Sequence, residues 1–399
     1  MPAKRLTRLW YILTATLLQA FAVLLALYQN LGAVRTDEAK YLLNIPYPHP
    51  PLVRTVLQAT EGIAAQELLW RIIFATLLVQ AVWVVAVLAK KLSFDARLVL
   101  CGCWVFSASV LFQAGSVMMA PLTALEGLLF VWFLSRKENS AKYDGWVALL
   151  WLLSLFTAYQ AILYLPIVVA IFWRSKVNLI VKALAVCVPM FLMTLYMAGN
   201  PLAVASFING SEQHADLQLL TILEQTSWTF LWAGSGVLSV VGLMGMVRAR
   251  SVPLMLSFLL TVAFVSVSFH PYYAVLFLPL LVGGAVADPT VLRKAPALLA
   301  LQIVAAVLIF AHTGLEFYES PARAVMRTVN ALPGEGAVLI AGSFGHEWQY
   351  ESRIPVFRFS SAKIPAAKAV ICLEPCPGLD RHGFYPVGNV SREVWARGN

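Results

Sequence analysis

A run of roughly twenty apolar residues is long enough to cross a bilayer as a helix, and this chain has one such run after another. They span Trp10 to Leu31, Ile72 to Ala89, Leu98 to Gln113, Met119 to Ser135, Val177 to Gly199, Trp228 to Val247, Leu254 to Phe269, Tyr273 to Ala287 and Pro296 to Ala311. Each is about long enough to cross a bilayer, some with tilt. Composition points the same way, because 60% of the 399 residues are hydrophobic and only 12% are charged. Too few charges remain to solvate a globule of this length. The chain is expected to use lipid as its solvent.

Between Gly145 and Trp173 the pattern changes, since basic residues flank both ends (Arg136, Lys137 and Lys142 before, Arg174 and Lys176 after). The stretch is too short for two full spans. It predicts a pair of short helices meeting near Thr157 to Gln160, for about eleven helical segments in all. With that count, the N-terminus, the Lys90/Lys91/Arg97 turn and the turns at Arg136, Arg174, Arg248 and Arg293 fall on one side. The positive-inside rule makes that side cytoplasmic. The expected setting is therefore a multi-pass protein of the plasma (cell inner) membrane with a cytoplasmic N-terminus. The first loop and the C-terminal tail then lie outside. Behind the net charge of +9, about half of the basic residues mark topology and the rest mostly sit in the tail, so no nucleic-acid partner is implied.

The first loop concentrates the polar chemistry. It reads Thr36-Asp37-Glu38-Ala39-Lys40-Tyr41 and, five residues later, Tyr47-Pro48-His49-Pro50-Pro51-Leu52. A carboxylate here can accept a proton, and Lys40, His49, Arg54 and Arg71 can offset negative charge. The same residues also suit a plain helix start, with Thr36 as the cap and two acids in the first turn. Arg54 to Gln66 reads as an interfacial helix, apolar at Val56, Leu57, Ile63 and Ala64.

Asp37, Glu38, Ala39, Tyr41, Pro50, Pro51 and Leu52 resemble, residue for residue, the first external loop of the GT-C membrane glycosyltransferases. Bacterial protein O-mannosyltransferase-like and lipid A aminoarabinose transferase-like enzymes are the nearest in pattern. The resemblance implies an all-α polytopic membrane bundle and transfer of a sugar from a polyprenyl-phosphate donor to an acceptor on the extracytoplasmic side. The acceptor would be a lipid, a glycan or a protein. It implies Asp37 as base with Glu38 beside it, and Lys40 and His49 near the donor phosphate; Tyr41, Arg54, Arg71, His270 and Tyr273 complete the candidate donor-binding set. Phe269-His270-Pro271-Tyr272-Tyr273 followed by Leu278-Pro279-Leu280 resembles a late segment of the same enzymes, although an aromatic belt at the membrane edge gives the same string. Two departures stand out. Val117-Met118-Met119-Ala120-Pro121 has no acid where many relatives carry a second carboxylate, and Ala158 stands where relatives often carry Lys. No cofactor is fixed by the sequence, and a divalent metal is left open.

From about Glu316 the apolar runs shorten and Gly, Pro and charge return. Ser320 to Leu332 predicts a helix, and Ala337 to Ala341, Pro355 to Phe359 and Lys368 to Leu373 predict strands. Two domains are expected: 1–315, a GT-C-like membrane domain, and 316–399, a small extracytoplasmic α/β domain. The spacing of Cys372 and Cys376 permits a disulfide or two free thiols. Glu126 is an acid within the fourth apolar run, where charge is costly, so it should face the interior, carry a proton or pair with a polar neighbour. A glycosyltransferase is the leading reading. A transporter or flippase of lipid-linked sugars, and a non-catalytic relative that binds the carrier lipid, are the alternatives.

Overall fold

A computed structural model describes residues 2–45, 50–63, 65–136, 141–201, 205, 223–224, 227, 236–267, 270–293, 295–314, 320–376, 378–387 and 393–397. The chain divides into two compact units, one of residues 1–27 and 46–314, the other of 28–45 and 315–399. The first-loop segment that carries Asp37 thus groups with the tail.

In chain order the helices begin with α1 (Pro2–Gln29), α2 (Thr36–Leu42), α3 (Pro51–Gln58), α4 (Gln66–Gln80) and α5 (Val82–Leu88). They continue with α6 (Phe94–Val105), α7 (Ala108–Gln113), α8 (Met119–Leu134), α9 (Ala141–Thr157), α10 (Leu165–Arg174) and α11 (Leu179–Ala198). After the 201–235 region come α12 (Val237–Arg248), α13 (Val252–Val267), α14 (Leu278–Ala287), α15 (Pro289–Arg293) and α16 (Pro296–Thr313). Among the described residues, 5 helical stretches are long and apolar enough to cross a membrane. The expected fold class, a polytopic helical bundle joined to a small α/β unit, is the one observed.

The bundle is built from helix stops as much as from hydrophobicity. The Leu98 to Gln113 run is interrupted at Phe106 and Ser107, where the Ser107 hydroxyl accepts the Val110 N–H at 3.2 Å and starts α7 anew. The short pair is present as α9 and α10, joined by a 3-10 segment over Tyr159–Tyr164. Helices α12 and α14 approach so closely that a Cβ on Gly242 would lie 2.6 Å from the Leu281 carbonyl. Small residues at such seams allow backbones to pack where water supplies no driving force. One expectation fails: the interfacial helix over Arg54 to Gln66 ends at Gln58. The chain turns at Gly62, whose φ is +86°, and α4 starts only after Ala65, whose φ is +58°. Positive φ at both positions is incompatible with a continuing right-handed helix.

In the second unit the tail forms α17 (Ala322–Ala331), β1 (Ala337–Ala341), α18 (His346–Glu351), β2 (Val356–Arg358), β3 (Ala367–Cys372), β4 (Phe384–Val387) and β5 (Glu393–Arg397). The sheet order is β2-β1-β3-β5-β4, parallel across β2, β1 and β3 and antiparallel beyond. One face buries Val325, Met326 and Val329 of α17 and Trp348 of α18 against Val338, Ile340 and Ile371. The other buries Ile364, Leu379 and Phe384 against Leu339 and Val370. Two covered faces explain why β3 is buried along its whole length. Cys372 and Cys376 are joined by a disulfide, with their Cα atoms 5.9 Å apart.

Candidate active site

Helix α2 is only seven residues long, too short to persist alone in water. It is held by the tail. The Thr36 hydroxyl donates to the Glu347 carboxylate of α18. Arg323 of α17 pairs with Glu351 at 2.8 Å and donates to the carbonyls of Asn30 at 2.8 Å and Gly32 at 2.6 Å, in the segment leading into α2. Ala39 and Tyr41 are buried. This places Tyr41 in the packing of the unit.

The adjacent acids differ in surroundings. Glu38 is fully buried, and its Oε2 accepts the Arg35 backbone N–H at 2.9 Å, with the Arg35 guanidinium 3.7 Å away. That bond satisfies one of the donors a helix start leaves open, so Glu38 holds α2 together. Thr36 is not the cap. Arg35 occupies that position, and Thr36 is the first helical residue. Asp37 keeps 23% of its side chain exposed and accepts from Lys40 Nζ at 2.8 Å, across one helical turn. Of the two, Asp37 is the carboxylate that an incoming group can reach. Lys40, assigned by the resemblance to the donor phosphate, is bonded to that acid.

In the first unit, α3 starts at Pro51, a residue pre-set for the first helical position, and buries Val53, Arg54 and Leu57. Arg54 donates to the Tyr196 hydroxyl of α11 at 3.0 Å. The Tyr196 ring lies 6.3 Å from that of Phe156, near the end of α9. Beyond α9, Gln160 donates to the Tyr273 hydroxyl at 3.0 Å. Tyr273 packs edge-on against Tyr272 at 4.5 Å and against His270 at 5.6 Å, and His270 stacks on Tyr272 at 5.1 Å. His270 is exposed. Arg54, His270 and Tyr273 are therefore joined to the α9–α10 junction through Tyr196 and Gln160, two residues to which the sequence assigned no functional role. Their one signal is being polar within apolar stretches.

Arg71 is set apart. It is fully buried on α4, where it pairs with Glu67 at 2.9 Å and donates to the Gly115 carbonyl at 3.0 Å. These bonds tie α4 to the turn before α8. His49 lies outside the described residues. Glu126 on α8 accepts from the Thr157 hydroxyl at 2.8 Å, as an acid facing the interior with a polar neighbour should, while its Oε2 is hidden and has no partner among the described residues. No group of three His, Cys, Asp or Glu side chains among the described residues is placed to hold a metal ion. With Asp37 bound to Lys40 and Glu38 to the Arg35 amide, the acid turn does not fit a metal.

The chain shares its fold with ArnT from Cupriavidus metallidurans, solved bound to undecaprenyl phosphate. The TM-score is 0.62 at 14% identity, over 96% of this chain and 99% of that one. The apo form of the same protein gives a TM-score of 0.60. An oligosaccharyltransferase from Archaeoglobus fulgidus, at 11% identity over 89% of this chain and 67% of that one, has a TM-score of only 0.46. No protein-family model and no curated protein matches the sequence. The fold agrees with the GT-C resemblance carried by the first loop.

Proposed function

We propose that the protein is an integral-membrane glycosyltransferase that moves a sugar from a polyprenyl-phosphate donor to an acceptor hydroxyl on the extracytoplasmic side. The observation that carries this reading is Asp37. It is a partly exposed carboxylate on a short helix whose other acid, Glu38, and first hydroxyl, Thr36, are committed to holding the helix in place. The fold shared with ArnT, crystallised with undecaprenyl phosphate, supports the choice of donor.

In this reading the acceptor oxygen attacks the anomeric carbon while the bond from that carbon to the phosphate oxygen breaks. The bonding pair leaves on the phosphate, and Asp37 takes the acceptor's proton. A single displacement inverts the anomeric centre. Lys40 keeps the Asp37 carboxylate oriented. Arg54, with His270 and Tyr273, meets the charge that grows on the phosphate. Glu38 and Tyr41 shape the turn.

The test is incubation of the purified protein with a panel of undecaprenyl-phosphate sugars, with release of undecaprenyl phosphate and labelling of lipid or glycan acceptors as the readouts. Release with stoichiometric transfer is expected. Proteoliposomes that move the same lipids across the bilayer with no bond broken would replace this reading with the flippase.

A further inference from the structure

The second unit carries a crevice that the transfer reading leaves unused. From β1 the chain goes to β2 through α18, on the face where Trp348 packs. From β2 it crosses to β3, on the far side of β1, through Ser361–Ala366, on the face where Ile364 packs. The two connections leave opposite faces, so neither covers the strand ends between them. In open parallel sheets such a reversal opens a crevice outside the carboxyl ends of the strands, and ligands bind there. Here the crevice measures about 700 Å³. Its walls are the carboxyl ends of the three parallel strands and the residues just beyond them: Gly342 and Ser343 after β1, Arg358 and Phe359 at the end of β2, and Glu374 after β3.

Its chemistry is mixed and held in place. Glu374 sits between Cys372 and Cys376, so the disulfide closes a small ring around the residue that presents the carboxylate. Gly342 has φ +105°, and a Cβ there would lie 3.0 Å from Leu373 Cβ and 3.2 Å from Glu374 Cγ. The loop after β1 therefore runs directly against the Glu374 stem. Arg358 and Glu374 are both exposed, and none of the ion pairs among the described residues includes either. A guanidinium offers a fork of donors that fits phosphate or carboxylate, a glutamate accepts from hydroxyls, and Phe359 adds an apolar ring to the lining. A bare cation is disfavoured by Arg358, and a chain of phosphates by Glu374.

We propose that this crevice is a second binding site, for a saccharide bearing one anionic substituent, a phosphate or a carboxylate. The site goes beyond the transfer reading, and its test reads binding alone. Saturation-transfer NMR on the full-length protein in nanodiscs would use glucose 1-phosphate and glucuronate as probes, with glucose and inorganic phosphate as comparators. At least one anionic sugar should bind more tightly than either comparator. Its affinity should fall by about tenfold in Arg358→Met, the loss of one charge-assisted pairing, and by a few-fold in Glu374→Gln. Arg54→Met and Asp37→Asn should leave it unchanged, which separates this site from the proposed donor site. Four results would overturn the proposal: no binding at roughly 10 mM probe, binding unaffected by Arg358→Met, inorganic phosphate bound as tightly as the sugars, or loss of binding in Arg54→Met. Both substituted side chains are exposed, so a thermal melt matching the unmodified protein is expected and shows that the site rather than the fold was changed.

Discussion

The acid turn of α2 and the basic, aromatic cluster of the helical bundle hold their polar groups by different means. In α2 the bonds are ionic and local, Asp37 to Lys40 and Glu38 to the Arg35 amide, while the helix as a whole is tied down by Glu347 and Arg323 from the tail. In the bundle most bonds are neutral or have one charged end, and they link distant segments: Arg54 to Tyr196, Gln160 to Tyr273, Arg71 to the Gly115 carbonyl. A short helix in a polar unit can be fixed by charges that water still partly screens. Buried polar groups among apolar helices must find a partner wherever the fold brings one. The difference teaches which groups are available for chemistry. Arg71 and Glu38 are consumed by structure, whereas Asp37 and His270 keep an exposed edge.

The largest effect is expected where the ionic tie of a fully buried arginine is cut. Arg71→Met removes its bonds to Glu67 and to the Gly115 carbonyl. Breaking such a pair typically costs about 3–5 kcal/mol. Poor yield and a melting transition many degrees lower should result, and a normal melt would show that Arg71 is not a structural tie. Arg54→Met comes next. It should leave the melt nearly unchanged but weaken undecaprenyl phosphate binding by tenfold to over a hundredfold, from the loss of about 1.5–3 kcal/mol of charge-assisted bonding. Native mass spectrometry reads this directly, and unchanged binding would move the phosphate away from α3.

Thr36→Val probes the anchoring of α2. The lost hydroxyl contact to Glu347 is expected to cost about 1–2 kcal/mol. It should appear as faster hydrogen exchange at residues 36–42 and a matching drop in transfer, with carrier binding intact. Glu38→Gln is the mildest. The amide oxygen can still accept the Arg35 N–H, so about 1 kcal/mol or less should be lost. An effect on transfer as large as that of removing Asp37 would make Glu38, after all, the acting acid.

The sequence exposed these regions unevenly. Bundle helices were legible because lipid demands unbroken apolar length, and α1, α8, α11 and α16 fall within a few residues of the runs that announced them, apart from a polar extension at the start of α1. Strands β1 and β3 were legible because two covered faces require continuous apolar residues, and the edge strand β2 by its Val356-Phe357 pair. By contrast β5, with Glu393 and Arg397 at its ends, and α18, reading His346-Glu-Trp-Gln-Tyr-Glu351, show too little periodicity to announce themselves. Asp37 stood out as a polar residue in an apolar context. What holds it did not: Thr36 and Glu347 are 311 positions apart, and no local pattern records a bond of that separation. The same limit hid Tyr196 and Gln160.

The central claim is that Asp37 acts in the chemical step and not in holding the donor. It is tested most directly by measuring carrier binding and single-turnover transfer side by side in Asp37→Asn. The amide preserves the shape of the turn and removes the basicity, so binding of undecaprenyl phosphate should match the unmodified protein while transfer falls by at least about a hundredfold. Transfer at the unmodified rate, or loss of carrier binding in parallel with transfer, would contradict the account.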